Sequence, residues 1–435
     1  MRRSPLSRIR NFLAAAAILL PLSGLALGQG LPPASPASAG FSSARLHRID
    51  TVVAGYVRDH RIAGAVTLIA RRGRTVHLGA YGMRDVESAD PMRPDTIFRI
   101  ASMSKAVTTV AALILMEEGR LLLSDPVSKY IPAFEKTTVL APASSPDGSA
   151  APVPAKRKIT IRDLMTHTSG ISYGTGNAAA RYDAAGARLW YFADKDEPIG
   201  AVVDRIAAVP FEAQPGEKWI YGFSTDVLGR VVEVASGMPL DQFLQTRIFT
   251  PLRMPDTSFF LPPAKRSRLA AVYSAREDGR IERAPDHGRV GQGEYVDGPR
   301  RCFSGGAGLL STASDYARFL QMLANGGALD GRRILSRKTV ELATSNQVGS
   351  LYEEGRFGFG LGFRIVEHVG RAGRLGSPGE YGWGSAYYGD YWVDPQEGTV
   401  FLFLSQLIPP GDIDLSPKFH ELVDAALEGE GVRVR

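Results

Sequence analysis

Residues 98–134, FRIASMSKAVTTVAALILMEEGRLLLSDPVSKYIPAF, decide how this chain is read. Phe98-Arg99-Ile100 is a strand-like lead into Ser102-Met103-Ser104-Lys105. Behind it Val107, Val110, Ile114 and Leu115 recur at helical spacing, and Gly119 is placed to close the helix. In a helix that starts here, positions three apart share a face, so the Ser102 hydroxyl and the Lys105 amine meet. Among the lysines of the chain, only Lys105 has a serine three residues before it. A serine hydroxyl is a weak nucleophile until a neighbouring base takes its proton. A buried lysine with a lowered pKa can be that base. The free N–H groups of a helix start favour the negative charge that develops on attack.

Upstream, Leu46, Ile49, Val53 and Tyr56 predict an amphipathic helix, and residues 64–70 and 74–80 flank Arg72-Gly73 as a β-hairpin. Downstream, residues 160–330 read as helices joined by long loops. Thr312, with Asp315 three residues on, opens one of them. The low-complexity run 141–154 (APASSPDGSAAPVP) reads as a surface insertion. Strand patterns return at 357–366, 387–393 and 399–405. A last helix begins at Ser416-Pro417 and carries Phe419, Leu422, Val423 and Ala426. With strands at both ends, the sheet is expected to close by joining the two ends, with a helical part inserted between them.

The chain has 435 residues, 44% apolar and 22% charged, which suits a large globular fold. Its net charge of +6 is concentrated at the start. Residues 1–28 carry Arg2, Arg3, Arg8 and Arg10 and no acids, so without them +6 becomes +2. That removes the main support for nucleic-acid binding. The same residues run from a basic start through the apolar NFLAAAAILLPLSGLAL to Ala26-Leu27-Gly28, the order of a secretory signal. A periplasmic or secreted protein, with no membrane span once the signal is cleaved, is the expectation. Residues 29–41 read as a flexible lead-in.

Three segments, 98–134, IRDLMTHTSGI (161–171) and SGGAGLLSTASDYARFL (304–320), resemble the serine β-lactamase and penicillin-binding-protein superfamily, over about residues 41–430. The resemblance implies an α/β (α+β) fold: an antiparallel sheet flanked by terminal helices, with the active site where it meets the inserted, mostly helical domain. The catalytic region would span 42–430, its α/β part about 42–105 and 330–430 and its helical part about 106–329. The family's Y-x-N or S-x-N element has no match, because Asn stands only at 11, 177, 325 and 346, none with Tyr or Ser two places before it. By context Tyr221-Gly222-Phe223 takes its place, with Tyr221 as base and then acid and Phe223 where the amide would face substrate. No K-T-G exists either, since Lys338 is followed by Thr339-Val340. Trp383-Gly384-Ser385 resembles the W-G-G variant of the lactamase-like (family VIII) carboxylesterases, with His368-Val369-Gly370 as a rival match. In that register the N–H of Ala386 completes the oxyanion hole with that of Ser102; a slip of one residue gives the role to Ser385.

Other signals carry less. Gly170-Ile171-Ser172-Tyr173-Gly174 matches G-x-S-x-G, but helix-like residues precede it and a Gly/Ala-rich loop follows, the reverse of a nucleophile elbow. His167, in THTSG, reads as a capping or structural histidine. The seven histidines form no metal-ligand spacing, and Gly305-Gly306-Ala307-Gly308 lacks the context of a phosphate loop. Cys302 is the lone cysteine and reads as a small buried side chain. The expectation is a serine hydrolase that needs no cofactor and no metal. A carboxylesterase on small or moderately bulky esters comes first, because Trp383 brings no charge for a substrate carboxylate and Phe223 no amide. A β-lactamase or D-alanyl-D-alanine carboxypeptidase, or a silent homologue that binds peptidoglycan or a partner, are the alternatives.

Overall fold

The computed structural model describes residues 30–141 and 151–429. The secretory-signal reading and the middle of the 141–154 run therefore lie outside the described residues. One antiparallel sheet organises the rest. Its strands are β1 (Gly64–Arg71), β2 (Arg74–Asp85), β3 (Asp90–Pro91), β4 (Gly358–Phe359), β5 (Arg364–Ile365), β6 (Tyr381–Gly384), β7 (Asp390–Asp394) and β8 (Thr399–Leu404). The spatial order β4-β5-β6-β7-β8-β1-β2-β3 sets the last strand of the chain beside the first, as the ends-together reading expected. The β1–β2 turn is Arg72-Gly73, both at positive φ (51° and 79°), the conformation whose twist suits a two-residue hairpin.

Side-chain alternation gives each face its own core. On β8, Val400, Leu402 and Leu404 point into the large core, whereas Phe401 and Phe403 point into a second one. The second core is closed by the terminal helices α1 (Ser43–Arg58) and α6 (Leu415–Ala425) through Leu46, Ile49, Val53, Phe419 and Val423. On the other face lie α2 (Ser104–Glu117) and α5 (Ala313–Ala324), and beyond α2 come α3 (Ile161–Met165) and α4 (Ser224–Ser236).

α2 departs from its apolar pattern. Every residue from Ser104 to Leu115 is buried, including Thr108, Thr109 and Lys105, because helices and sheet enclose it on all sides. Gly119, at φ 70°, ends it as expected, its N–H bonded to Met116 O. Two strand expectations shorten. The run 357–366 is a tight hairpin, β4 and β5, whose turn uses Gly362 at φ 85°. In 387–393 the strand starts only at Asp390, because Tyr388 (φ 61°) belongs to a turn. At the described end of the 141–154 run, Pro152–Pro154 pairs with Thr138–Leu140 as a two-stranded ribbon. Among the described residues no helix is long and apolar enough to cross a membrane.

Candidate active site

Ser102 sits in a single 3-10 turn, Ala101–Met103, that feeds α2. Ala101 is held at φ 36°, a conformation that costs a residue with a Cβ about 1–3 kcal/mol and persists only where the surroundings enforce it. The Met103 carbonyl is fixed by the Tyr316 hydroxyl at 2.9 Å, and the Ser104 hydroxyl accepts the Leu309 N–H at 3.0 Å. The turn is thus clamped from α5 and from the loop before it.

The Lys105 amine is 2% exposed and reaches three oxygens: Ser102 Oγ at 3.2 Å, Tyr173 OH at 3.0 Å and Gly306 O at 2.7 Å. Three oxygens match the three N–H bonds of an ammonium. They equally match a free amine with two N–H bonds and a lone pair aimed at the Ser102 hydroxyl, the state a general base requires. The spacing argument from the sequence is met in space.

Tyr221 also comes to this amine, but through its ring face: Lys105 Nζ stands 4.7 Å from the ring centroid. Its hydroxyl accepts a hydrogen bond from Trp383 Nε1 at 3.1 Å. The ring lies parallel to Trp219, at 5.8 Å and 5°, and His167 packs against it at 4.9 Å. His167 is buried, and that burial, with the Lys105 charge behind it, holds its imidazole well below its ordinary range and therefore neutral. Its Nδ1 has no partner among the described residues, and its carbonyl accepts the Ile220 N–H at 2.8 Å. This is a structural histidine that braces the segment ahead of Tyr221.

Tyr173 is the residue that sequence reasoning missed. It belongs to the set-aside G-x-S-x-G match, and it is its phenol, not Ser172, that reaches the lysine. Ser172 Oγ accepts the Gly174 N–H at 3.1 Å within its own turn. Burial, then the neighbouring Tyr221 and Asp226, push the Tyr173 phenol well above its ordinary range, so it stays protonated.

Phe223 needs a correction. It does not face the cleft: it is 0% exposed and packs behind Tyr173 at 4.9 Å, beside Phe192 at 5.5 Å and Tyr182 at 6.0 Å. The start of α4 turns its ring into the helical core. A residue in the motif's third place cannot touch substrate from there.

Trp383 lies on β6, which packs against the turn carrying Ser102. Trp383 and Tyr221 are both partly exposed, 5.4 Å apart. The rival His368 is an exposed residue at the start of a four-residue helix and has no such contact. After β6 the chain turns back at once. Ser385 N–H donates to Gly389 O at 2.7 Å, and Ser385 Oγ accepts the Tyr387 N–H at 3.1 Å. Ser385 N–H is thus already committed, whereas Ala386 N–H has no partner among the described residues. Ala386 and Trp190 both pack onto the cluster that contains Ala101 and Tyr387, and the Trp190 ring meets that of Tyr387 at 5.8 Å. No sequence signal pointed to Trp190.

Among the described residues one group could hold a metal ion, Glu380, His420 and Asp424, with ligand atoms within 4.8 Å of one another. His420 and Asp424 stand on the terminal helix α6, and Glu380 faces them from outside it. Arg374 Nη2 stands 3.6 Å from Glu380 Oε1 and already brings a positive charge there.

The chain is similar to known proteins along most of its length. The model of the beta-lactamase family matches residues 49–421. Esterase EstB of Burkholderia gladioli is 34% identical over 379 residues, 82% of this chain and 89% of that protein. Among solved structures, EstCE1, a hydrolase with promiscuous acyltransferase activity, superposes with a TM-score of 0.75 at 28% identity, covering 89% of this chain and 99% of its own. Simvastatin synthase (LovD) from Aspergillus terreus gives 0.73 at 26%, covering 88% and 99%.

Proposed function

The chain belongs to the beta-lactamase family and is a serine hydrolase, and from that premise we propose that it is a carboxylesterase that forms an acyl-enzyme on Ser102. One observation carries the choice of ester. At the strand position beside the nucleophile stands an indole, and its N–H is spent on the Tyr221 hydroxyl at 3.1 Å. A lysine there would offer a cation to the carboxylate of a lactam or peptidoglycan peptide. Trp383 offers an apolar face instead, and Arg364, which packs on it, is held between the rings of Phe357 and Trp392. Esterase EstB, by its name, points the same way.

In the proposed reaction the Ser102 oxygen attacks the ester carbonyl while its proton passes to the Lys105 and Tyr221 pair. The N–H groups of Ser102 and Ala386 hold the oxyanion. The C–O bond to the alcohol breaks as Tyr221 returns the proton to the leaving oxygen. Water then adds to the acyl-enzyme by the same steps and releases the acid. Tyr173 anchors the lysine and stays protonated throughout. Export of the chain through its first 28 residues is part of the proposal, and fractionation of expressing cells tests it.

Purified protein assayed on p-nitrophenyl butyrate and on nitrocefin tests the substrate class. Ester turnover that vanishes in Ser102→Ala is expected. Turnover of nitrocefin at a rate above that of the ester would move the reading to a β-lactamase, and ester turnover that survives Ser102→Ala would end it.

A further inference from the structure

Behind the lysine lies a carboxylate that the reaction as described does not use. Asp226, two residues into α4, is 0% exposed. Its Oδ1 accepts the Ser304 hydroxyl at 2.6 Å and the Gly306 N–H at 3.1 Å, and its Oδ2 has no partner among the described residues. The residue whose N–H it grips is the one whose carbonyl grips the lysine, since Gly306 O accepts from Lys105 Nζ at 2.7 Å. Gly306 lets the two come this close: a Cβ built on it would lie 2.4 Å from Asp226 Oδ2. The same loop is pinned again by the Thr108 hydroxyl on Gly305 O at 2.8 Å and by Ala307 N–H on Ser304 Oγ at 3.1 Å.

A buried carboxylate with one oxygen unmatched is costly unless a positive charge answers it. Among the described residues Lys105 Nζ meets only the neutral oxygens of Ser102, Tyr173 and Gly306 directly, so its ammonium equally lacks a contacting counter-charge. The two groups bond to the two sides of one residue, Gly306. Burial raises the Asp226 carboxyl, and the Ser304 bond, Lys105 and the Gly306 N–H oppose that rise. The other titratable groups facing this pair are Tyr173 and Tyr221, the neutral His167, and Cys302, whose thiol burial and Asp226 push up.

We infer that Asp226 is a positioning residue for Lys105: it holds Gly306, whose carbonyl aims the amine at Ser102, and it places a buried carboxyl group behind that amine. The inference rests on the proposed role of Ser102 and deepens it. It also gives the SGGAG segment a function that no phosphate-binding reading supplied.

The test is the pH dependence of the rate at which a fluorophosphonate probe labels the protein, with the labelled residue identified by mass spectrometry. Asp226→Asn keeps an oxygen for Ser304 and Gly306 and removes the charge. That takes away the carboxylate behind the Lys105 amine and keeps the contacts to Ser304 and Gly306. The acidic limb of the profile is expected to move down by about one pH unit, the lower end of what a nearby opposite charge does. Ser304→Ala strips one donor from the carboxylate, which raises the Asp226 carboxyl further and reduces its charge, so a smaller shift in the same direction is expected. It also serves if Asp226→Asn does not fold. A folded Asp226→Asn or Ser304→Ala protein that is labelled at Ser102 more slowly but with an unmoved acidic limb overturns the inference and leaves the nucleophile standing. Wild-type protein with no label at Ser102 overturns the nucleophile itself.

Discussion

Two phenols meet one lysine, and replacing each by phenylalanine separates their roles. Tyr221→Phe keeps the ring that stacks on Trp219 and touches Trp383, and removes the hydroxyl that accepts from Trp383 Nε1 at 3.1 Å. If that hydroxyl moves the proton, the loss is that of general acid–base catalysis, about 10²–10⁴ in rate. That corresponds to roughly 3–5.5 kcal/mol of transition-state stabilisation. Tyr173→Phe removes one hydrogen bond to the amine, at 3.0 Å, from a side chain that is 8% exposed. A hydrogen bond to a charged group contributes about 1.5–3 kcal/mol, or roughly ten- to a hundredfold in rate. The assay is kcat/KM on two esters of one acid, p-nitrophenyl butyrate and ethyl butyrate. The p-nitrophenolate ion leaves without a proton, whereas ethanol needs one. Tyr221→Phe is therefore expected to cost more on the ethyl ester than on the aryl ester, and Tyr173→Phe to cost the same on both. A larger loss from Tyr173→Phe than from Tyr221→Phe on the ethyl ester would refute the assignment and exchange the two roles.

Phe223→Ala is expected to destabilise the protein by about 3–5 kcal/mol in urea unfolding, as for other fully buried aromatic rings, and a loss under about 1 kcal/mol would contradict its placement in the core. Glu380, buried where it faces α6, has its carboxyl pushed up to about 8 by burial, against the pull of Arg374. An acid whose folded pKa is raised gives its full stabilisation below its ordinary 4.5 and loses it as pH rises through 8. The melting temperature of Glu380→Gln relative to wild type should thus climb between pH 5 and pH 8; an offset that stays constant across that range would show the reasoning to be wrong. Cys302 is 3% exposed and burial raises its thiol, so a disulfide reagent such as DTNB should leave the native protein unmodified and react once urea unfolds it. Rapid modification without denaturant would place that residue at the surface.

Much of this protein is readable from local spacing, because local spacing fixes local geometry. Ser102 and Lys105 are one helical turn apart, and a helix start brings them together whatever surrounds it. Arg72-Gly73 supplies the backbone freedom a two-residue hairpin needs, and alternating apolar residues divide β8 between two cores. The order of patterns along the chain was enough to bring its last strand beside its first. The rest depended on directions in space that a sequence does not carry. Tyr173 lies 68 residues from Lys105 along the chain and meets it only because the loop after α3 folds over the start of α2. Phe223 occupies a motif position, yet the first turn of α4 sends its ring inward. Ser385 and Ala386 are neighbours in sequence, and only the turn after β6 shows which N–H is already bonded. Asp226 gave no signal at all, because nothing in STDVLG tells that its carboxylate sits behind a glycine whose carbonyl holds the lysine. Helical repeat and strand alternation are properties of a few consecutive residues, whereas a site is made by side chains whose meeting is settled by how distant elements pack.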